Sequence, residues 1–312
     1  MNVTRRLSRL FNLSRHRAVR AIAIGVAIVV VSAATLPMLE IQESTIQAST
    51  AKVEEFNFDH LRKNAPRLRV QSAFLVDYES GEVLYAKNSD SVRSIASISK
   101  LVSAMIVLES GIDLTRRQKI SKEDAYRSSR SRFRVGDEMT LNDLLHGSLM
   151  ASDNRCTRAL ARAVAGSIDA FVVKMNEKMK QMGLPHTQFG DPTGLDPLNV
   201  STAKEIAVVV NRAYRFEEIA RITSKKQFAI HLLNKRKRTY RTIANTNVLV
   251  ASKYRVLTGK TGYINESQHC LTTILMDRKG RKLTLVVLGA PGSGTRFREA
   301  KKLADWGFRE MS

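Results

Sequence analysis

SIASISKLVSAM, residues 94–105, places four serines in twelve residues at the point where a helical apolar pattern begins. Serine is a weak helix-interior residue but a strong helix start, because its hydroxyl can accept from unpaired backbone N–H groups. Either all four are caps and filler, or one is a nucleophile. Ser97 is followed at i+3 by Lys100, a spacing that sets hydroxyl and amine on one helix face. A lysine of ordinary pKa is protonated at neutral pH, but burial and a second nearby cation would lower it far enough to serve as a base. A helix N-terminus also favours an oxyanion forming beside it.

Ser-x-x-Lys alone says little, and it recurs as STAK (49–52), to which no function is assigned. Two further triplets separate the copies. SDN (Ser152-Asp153-Asn154) follows an apolar helix at 141–150 and offers a hydroxyl and an amide. KTG (Lys260-Thr261-Gly262) falls in a predicted strand, where Gly262 allows close backbone approach. Their order and their placement on helix, loop and strand carry the signal.

Working outward, VQSAFLVDYESGEVLYAKNSD (70–90) predicts a hairpin turning at Glu79–Glu82. A largely helical block follows. It comprises the serine helix ending at Gly111, a pattern through Leu141, Leu144, Leu145, Leu149 and Leu160, an amphipathic helix from Ser167 or Asp169 to Gly183, and a helix after Ser201 or Thr202. Residues 189–202 read as a loop. YRVLTGKTGYI, QHCLTTILMDRKG and RKLTLVVLGAPGSG then predict an antiparallel meander, closed by the helix TRFREAKKLADWGF. The sum is a mixed α/β (α+β) fold, an antiparallel sheet flanked by helices with an inserted helical lobe.

The net charge of +22 favours an anionic partner. Six arginines up to Arg20 precede the first acidic residue, and the uncharged AIAIGVAIVVVSAATLPML (21–39) follows them, in the order of an export signal. Residues 1–39 are thus expected to be a signal peptide, or a membrane anchor if uncleaved, 40–67 an arm, and 68–312 the folded domain. Export makes nucleic acid an unsuitable partner, so NKRKRTYR (234–241) is read as a solvated strand or loop. The six histidines are scattered without metal-ligand spacing, and no cofactor motif or Gly-x-Ser-x-Gly elbow occurs. Cys156 and Cys270 allow one disulfide or two buried thiols.

With SIASISKL, LLHGSLMASDN, FGDPTGLDPLNVST, NTNVL and GKTGYI in place, residues 68–308 resemble the penicillin-binding proteins and serine β-lactamases, especially the low-molecular-mass D-alanyl-D-alanine carboxypeptidases and endopeptidases. The resemblance implies an acyl-enzyme on Ser97 with Lys100 as base, and Ser152 relaying a proton to the leaving amine, helped by Lys260. It assigns the substrate amide to Asn154, the substrate carboxylate to Lys260 and Thr261, and the oxyanion hole to the N–H groups of Ser97 and Tyr263, beside Gly262. Peptidoglycan peptides are the implied substrate in the periplasm, β-lactams the implied covalent inhibitors, and no cofactor or metal is implied. The chain ends about four residues after ADWGF, where many carboxypeptidases of the family continue, which points to the endopeptidase branch. A carboxypeptidase, a β-lactamase and a catalytically silent wall-binding protein are the alternatives. The β-lactamase reading would need a deacylating glutamate. Glu138 in EMTLN (138–142) has the spacing but precedes SDN, and is read instead as an N-terminal helix charge.

Overall fold

The computed structural model describes residues 64–128 and 131–311. The expected export segment 21–39 and the STAK copy lie outside them. Among the described residues no helix is long and apolar enough to cross a membrane.

The chain opens with β1 (Ser72–Asp77) and β2 (Val83–Lys87), then a two-residue strand β3 (Arg93–Ser94) and helix α1 (Lys100–Glu109). Strands β4 (Arg117–Lys119) and β5 (Glu138–Thr140) form a small ribbon ahead of helices α2 (Leu141–Leu149), α3 (Asn154–Ala165) and α4 (Ile168–Gln181). Strand β6 (Val200–Ser201) pairs with β3, and helices α5 (Ala203–Tyr214) and α6 (Glu217–Thr223) follow. The hairpin of β7 (Gln227–Leu232) and β8 (Thr239–Ala244) precedes the long strands β9 (Arg255–Ile264), β10 (Gln268–Met276) and β11 (Lys282–Ala290). Helix α7 (Ser293–Glu310) closes the fold.

The main sheet is antiparallel, in the order β2-β1-β11-β10-β9, so its central pair joins the two ends of the domain. Alternation along each strand feeds two cores. Phe74, Val76, Val286 and Leu288 face the helical lobe. Ala73, Leu75, Leu285 and Val287 face α7, where Leu303 and Ala304 meet them. Burial on both faces explains why β11 reads as a continuous apolar run. The lobe's helices start where their side chains allow. Thr140, Asp153, Ser167 and Thr202 each accept from a backbone N–H in the first turn of α2, α3, α4 and α5.

Two local expectations change, and the alternatives for the cysteines narrow to two buried thiols. Ser94 is a strand residue in the β3–β6 pair rather than a turn or cap. Glu138 sits in β5, ion-paired to Lys119 at 3.9 Å, and not at a helix start. That strand pairing decides its place, because Thr140 is the residue that caps α2. Cys156 and Cys270 are both buried and free.

Candidate active site

The residues Ala96–Ser99 form a single 3-10 turn immediately before α1. In 3-10 geometry positions i and i+3 eclipse, so Ser97 and Lys100 share a side more closely than on an α-helix. Ile95 and Ile98 are buried and anchor the turn, while Ser97 stays partly exposed between them. Ala96 adopts φ of +48°, which costs a non-glycine residue roughly 1 kcal/mol. Neighbouring backbones hold it there. A Cβ on Gly194 (φ +80°) would lie 2.0 Å from the Ala96 carbonyl oxygen, and one on Gly262 would lie 2.7 Å from that of Ile95. Ser99 Oγ donates to the Ala96 carbonyl at 2.7 Å and accepts from Asn199 Nδ2 at 2.9 Å. Ser103 Oγ donates to the Pro192 carbonyl at 2.7 Å, so Ser99 and Ser103 both have structural partners, and Ser94 is held through its backbone in the β3–β6 pair.

Lys100 is completely buried, and its Nζ reaches Ser97 Oγ at 2.9 Å, Asn154 Oδ1 at 2.7 Å and the Thr193 carbonyl at 2.5 Å. Burial lowers its pKa to about 8, against the opposing charges of Asp191 and Asp153. The three contacts also orient the neutral amine. A neutral amine has two N–H bonds and one lone pair, and Asn154 Oδ1 and the Thr193 carbonyl can only accept. They take the two N–H bonds, and the lone pair is left for the Ser97 hydroxyl. That is the geometry of a general base on a nucleophile.

A second serine–lysine pair faces the same cleft. Lys260 Nζ, also buried, donates to Ser152 Oγ at 2.8 Å and to the Thr261 carbonyl at 2.9 Å. Its pKa is pushed well down by burial, then by the charges of Lys100 and Arg296. Ser152 lies in the break between α2 and α3 at φ +57°, a strained setting of the kind found at functional sites. Asp153 fixes that break. Its carboxylate caps α3 through the N–H groups of Arg155 and Cys156, and accepts from Ser131 Oγ and the Arg132 N–H. Asn154 is the first residue of α3, which carries its amide to Lys100.

Strand β9 is an edge of the main sheet and presents Thr261, Gly262 and Tyr263 along the cleft. Thr261 Oγ1 donates to Thr246 Oγ1 at 2.7 Å. Tyr263 is 49 % exposed and stacks on His269 at 4.3 Å. The cleft encloses about 600 Å³, with Ser97, Arg132, Ser152, Asn154 and Thr261 in its wall. Glu138 is not among the residues that line it.

All eight residues singled out from the sequence thus converge on one place. Sequence reasoning assigned no part to Asp191, which accepts from the Gly194 N–H at 2.8 Å and shapes the loop whose Thr193 carbonyl meets Lys100. The Pro and Gly of FGDPTGLDPLNVST were the available signal. It also passed over Arg296, whose buried guanidinium lines the cleft and donates to the Gly262 carbonyl of β9 at 3.0 Å. A lone arginine on an amphipathic helix carries no such signal.

A buried lysine poised on a serine, a second serine–lysine pair opposite, and a sheet with an inserted helical lobe define a serine hydrolase of the penicillin-binding type. The profile of the D-alanyl-D-alanine carboxypeptidase family matches residues 59–292, and the chain belongs to that family as a serine D,D-peptidase. It is 34% identical over 247 residues to the D-alanyl-D-alanine endopeptidase of Escherichia coli (strain K12), covering 77% of this chain and 78% of the relative. It is 38% identical over 244 residues to the endopeptidase of the same name from Pseudomonas aeruginosa, covering 75% and 76%. Among solved structures, the Streptomyces K15 DD-transpeptidase superposes with a TM-score of 0.73 at 26% identity, covering 78% of this chain and 98% of that one. Penicillin binding protein 5 from Haemophilus influenzae gives 0.71 at 30%, covering 78% and 72%.

Proposed function

We propose that the protein is a D-alanyl-D-alanine endopeptidase that hydrolyses peptide cross-links of peptidoglycan. The observation that carries the chemistry is the contact of Lys100 Nζ with Ser97 Oγ at 2.9 Å. Ser97 attacks the carbonyl carbon of the scissile bond and passes its proton to neutral Lys100. The N–H groups of Ser97 and Tyr263 receive the oxyanion. The tetrahedral adduct collapses as the leaving nitrogen takes a proton through Ser152, which Lys260 holds in place. Water then attacks the ester on Ser97 and frees the acid and the enzyme. Asn154 holds the substrate amide, and Lys260 with Thr261 binds the substrate carboxylate.

Endopeptidase activity is favoured over carboxypeptidase activity by two observations. Two relatives named endopeptidase match at 34% and 38% identity and a third at 31%. The carboxypeptidases DacF of Bacillus subtilis and DacC of Escherichia coli match at 31% and 32% and are covered over only 62% of their length, against 76–78% for the endopeptidases. The cleft wall also includes Arg132 together with Ser152 and Thr246, offering charge and room to a leaving group larger than one alanine. In this reading β-lactams acylate Ser97 and leave slowly, because Glu138 is held by Lys119 in β5 away from the ester. Residues 1–39 direct export to the periplasm, with membrane attachment if 21–39 is retained, residues 40–67 form an arm, and 68–312 form the catalytic domain.

Incubation with purified cross-linked muropeptide dimers tests the proposal, and monomers are the expected product. Release of terminal D-alanine alone would make the protein a carboxypeptidase. Penicillin labelling with no turnover would make it a silent wall-binding protein, and rapid penicillin hydrolysis a β-lactamase.

A further inference from the structure

The β7–β8 hairpin carries a cationic run that the reaction leaves unused. Lys235, Arg236, Lys237 and Arg238 form its connection and are all exposed. No Asp or Glu occurs between Gln227 and Ala244. In the adjoining segment 131–138 the acids are Asp137 and Glu138, and each already meets a lysine, Lys235 at 2.7 Å and Lys119 at 3.9 Å. The tip's cations therefore outnumber the acids that could neutralise them locally.

This run is tied to the cleft at both ends. Arg241 of β8 donates to the carbonyl of Arg132, which lines the cleft and whose N–H donates to Asp153 at 2.9 Å. Asn234 Nδ2 donates to the Gly136 carbonyl at 2.7 Å, and the Leu233 N–H to that of Glu138 at 2.8 Å, so the hairpin is fastened along that segment. From Ala244 the chain continues to Thr246, the partner of Thr261 inside the cleft. The hairpin is thus an extension of the wall on the Ser152 side, where the leaving amine departs. Six strand residues at about 3.3 Å each separate the tip from Ala244 by about 20 Å, the span of an extended peptide of about six residues.

We infer that this hairpin is a docking surface for the carboxylate-bearing peptide on the leaving-group side of the cross-link. The inference rests on the endopeptidase reading above. A single departing alanine ends at the cleft, whereas a cross-linked stem continues along β8 and brings carboxylates to the tip. Exposed cations of this kind raise encounter rates and are screened by salt.

The test compares kcat/KM on muropeptide dimers with that on the same dimers carrying amidated carboxylates. Removing three charges together, as Arg236→Ser/Lys237→Ser/Arg238→Ser, is expected to lower kcat/KM on the acidic dimers about tenfold, the low end for electrostatic steering. High salt should bring the wild type down to the same value, and amidated dimers should show no difference between the two proteins. A control lacking three exposed charges elsewhere, Lys174→Ser/Lys180→Ser/Lys301→Ser, should cleave like the wild type. Penicillin labelling and thermal unfolding report that each variant is folded. Equal cleavage by the hairpin variant and the wild type, or an equal loss in the control, would overturn the inference. A wild type inactive on dimers would overturn the endopeptidase reading instead. Binding of the hairpin to anionic lipid vesicles with no effect on dimers would reassign the surface to a membrane.

Discussion

The Nζ of Lys260 donates to Ser152 Oγ at 2.8 Å, so the second serine of the cleft has its own buried lysine. The two act as one unit, and removing either leaves the other without its partner. Ser152→Ala and Lys260→Ala are each expected to slow acylation by penicillin about 10²- to 10⁴-fold, the range for a lost proton-transfer group. The double variant should be hardly slower than either single one, because their contributions are not additive. The second-order acylation rate constant measures all three.

The pH dependence follows from Lys100. Its pKa is lowered to about 8, and the neutral form is the base. At pH 7 about one lysine in ten is neutral, and the acylation rate should rise with pH and level off above 8. Asp191 favours the charged form and holds that pKa up. Asp191→Asn should therefore move the rising limb to lower pH, as read from pH–rate profiles of penicillin acylation. A limb displaced upward would contradict the assignment of Lys100.

Gly194 has no tolerance for a side chain. A Cβ would stand 2.0 Å from the Ala96 carbonyl oxygen and 2.6 Å from the Ser97 nitrogen, at a φ of +80° that already disfavours it. Gly194→Ala is expected to displace the nucleophile turn and abolish penicillin labelling. Retention of wild-type labelling would show that the loop and the turn are not packed as described.

The α2–α3 contact behind SDN offers a test of packing without chemistry. A Cβ on Gly147 would lie 2.6 Å from the Sγ of buried Cys156. Gly147→Ala should cost about 1–3 kcal/mol in urea unfolding, the usual penalty of overpacking. Adding Cys156→Ala removes the sulfur it meets and should restore most of the loss.

The parts of the site that were legible from the sequence are those whose spacing is local. The offset of Ser97 from Lys100, SDN at the end of an apolar helix, and KTG in a β-branched run each state their own placement. The hairpin at Glu79–Glu82 and the closing meander were legible for the same reason. What eluded the sequence depends on long-range packing. The 3-10 turn at Ala96–Ser99 is held by Gly194 and Gly262, both more than ninety residues away in the chain. Asp191 accepts from the Gly194 N–H and Arg296 donates to the Gly262 carbonyl, and no periodicity marks such contacts with the backbone. Glu138 misled because β5 is only three residues long and ends at Thr140, too short a run for alternation to reveal.

The pairing of β1 with β11 has a consequence for how the molecule is made. A ribosome delivers β1 and β2 early, yet their third strand arrives only when residue 290 does. An isolated two-stranded hairpin is marginal in water, so the first two hundred residues of the domain have no sheet to pack against. Contacts of such long sequence separation close late and slowly. Because β11 lies between β1 and β10, the early hairpin and the oxyanion strand β9 can join one sheet only after β11 has emerged.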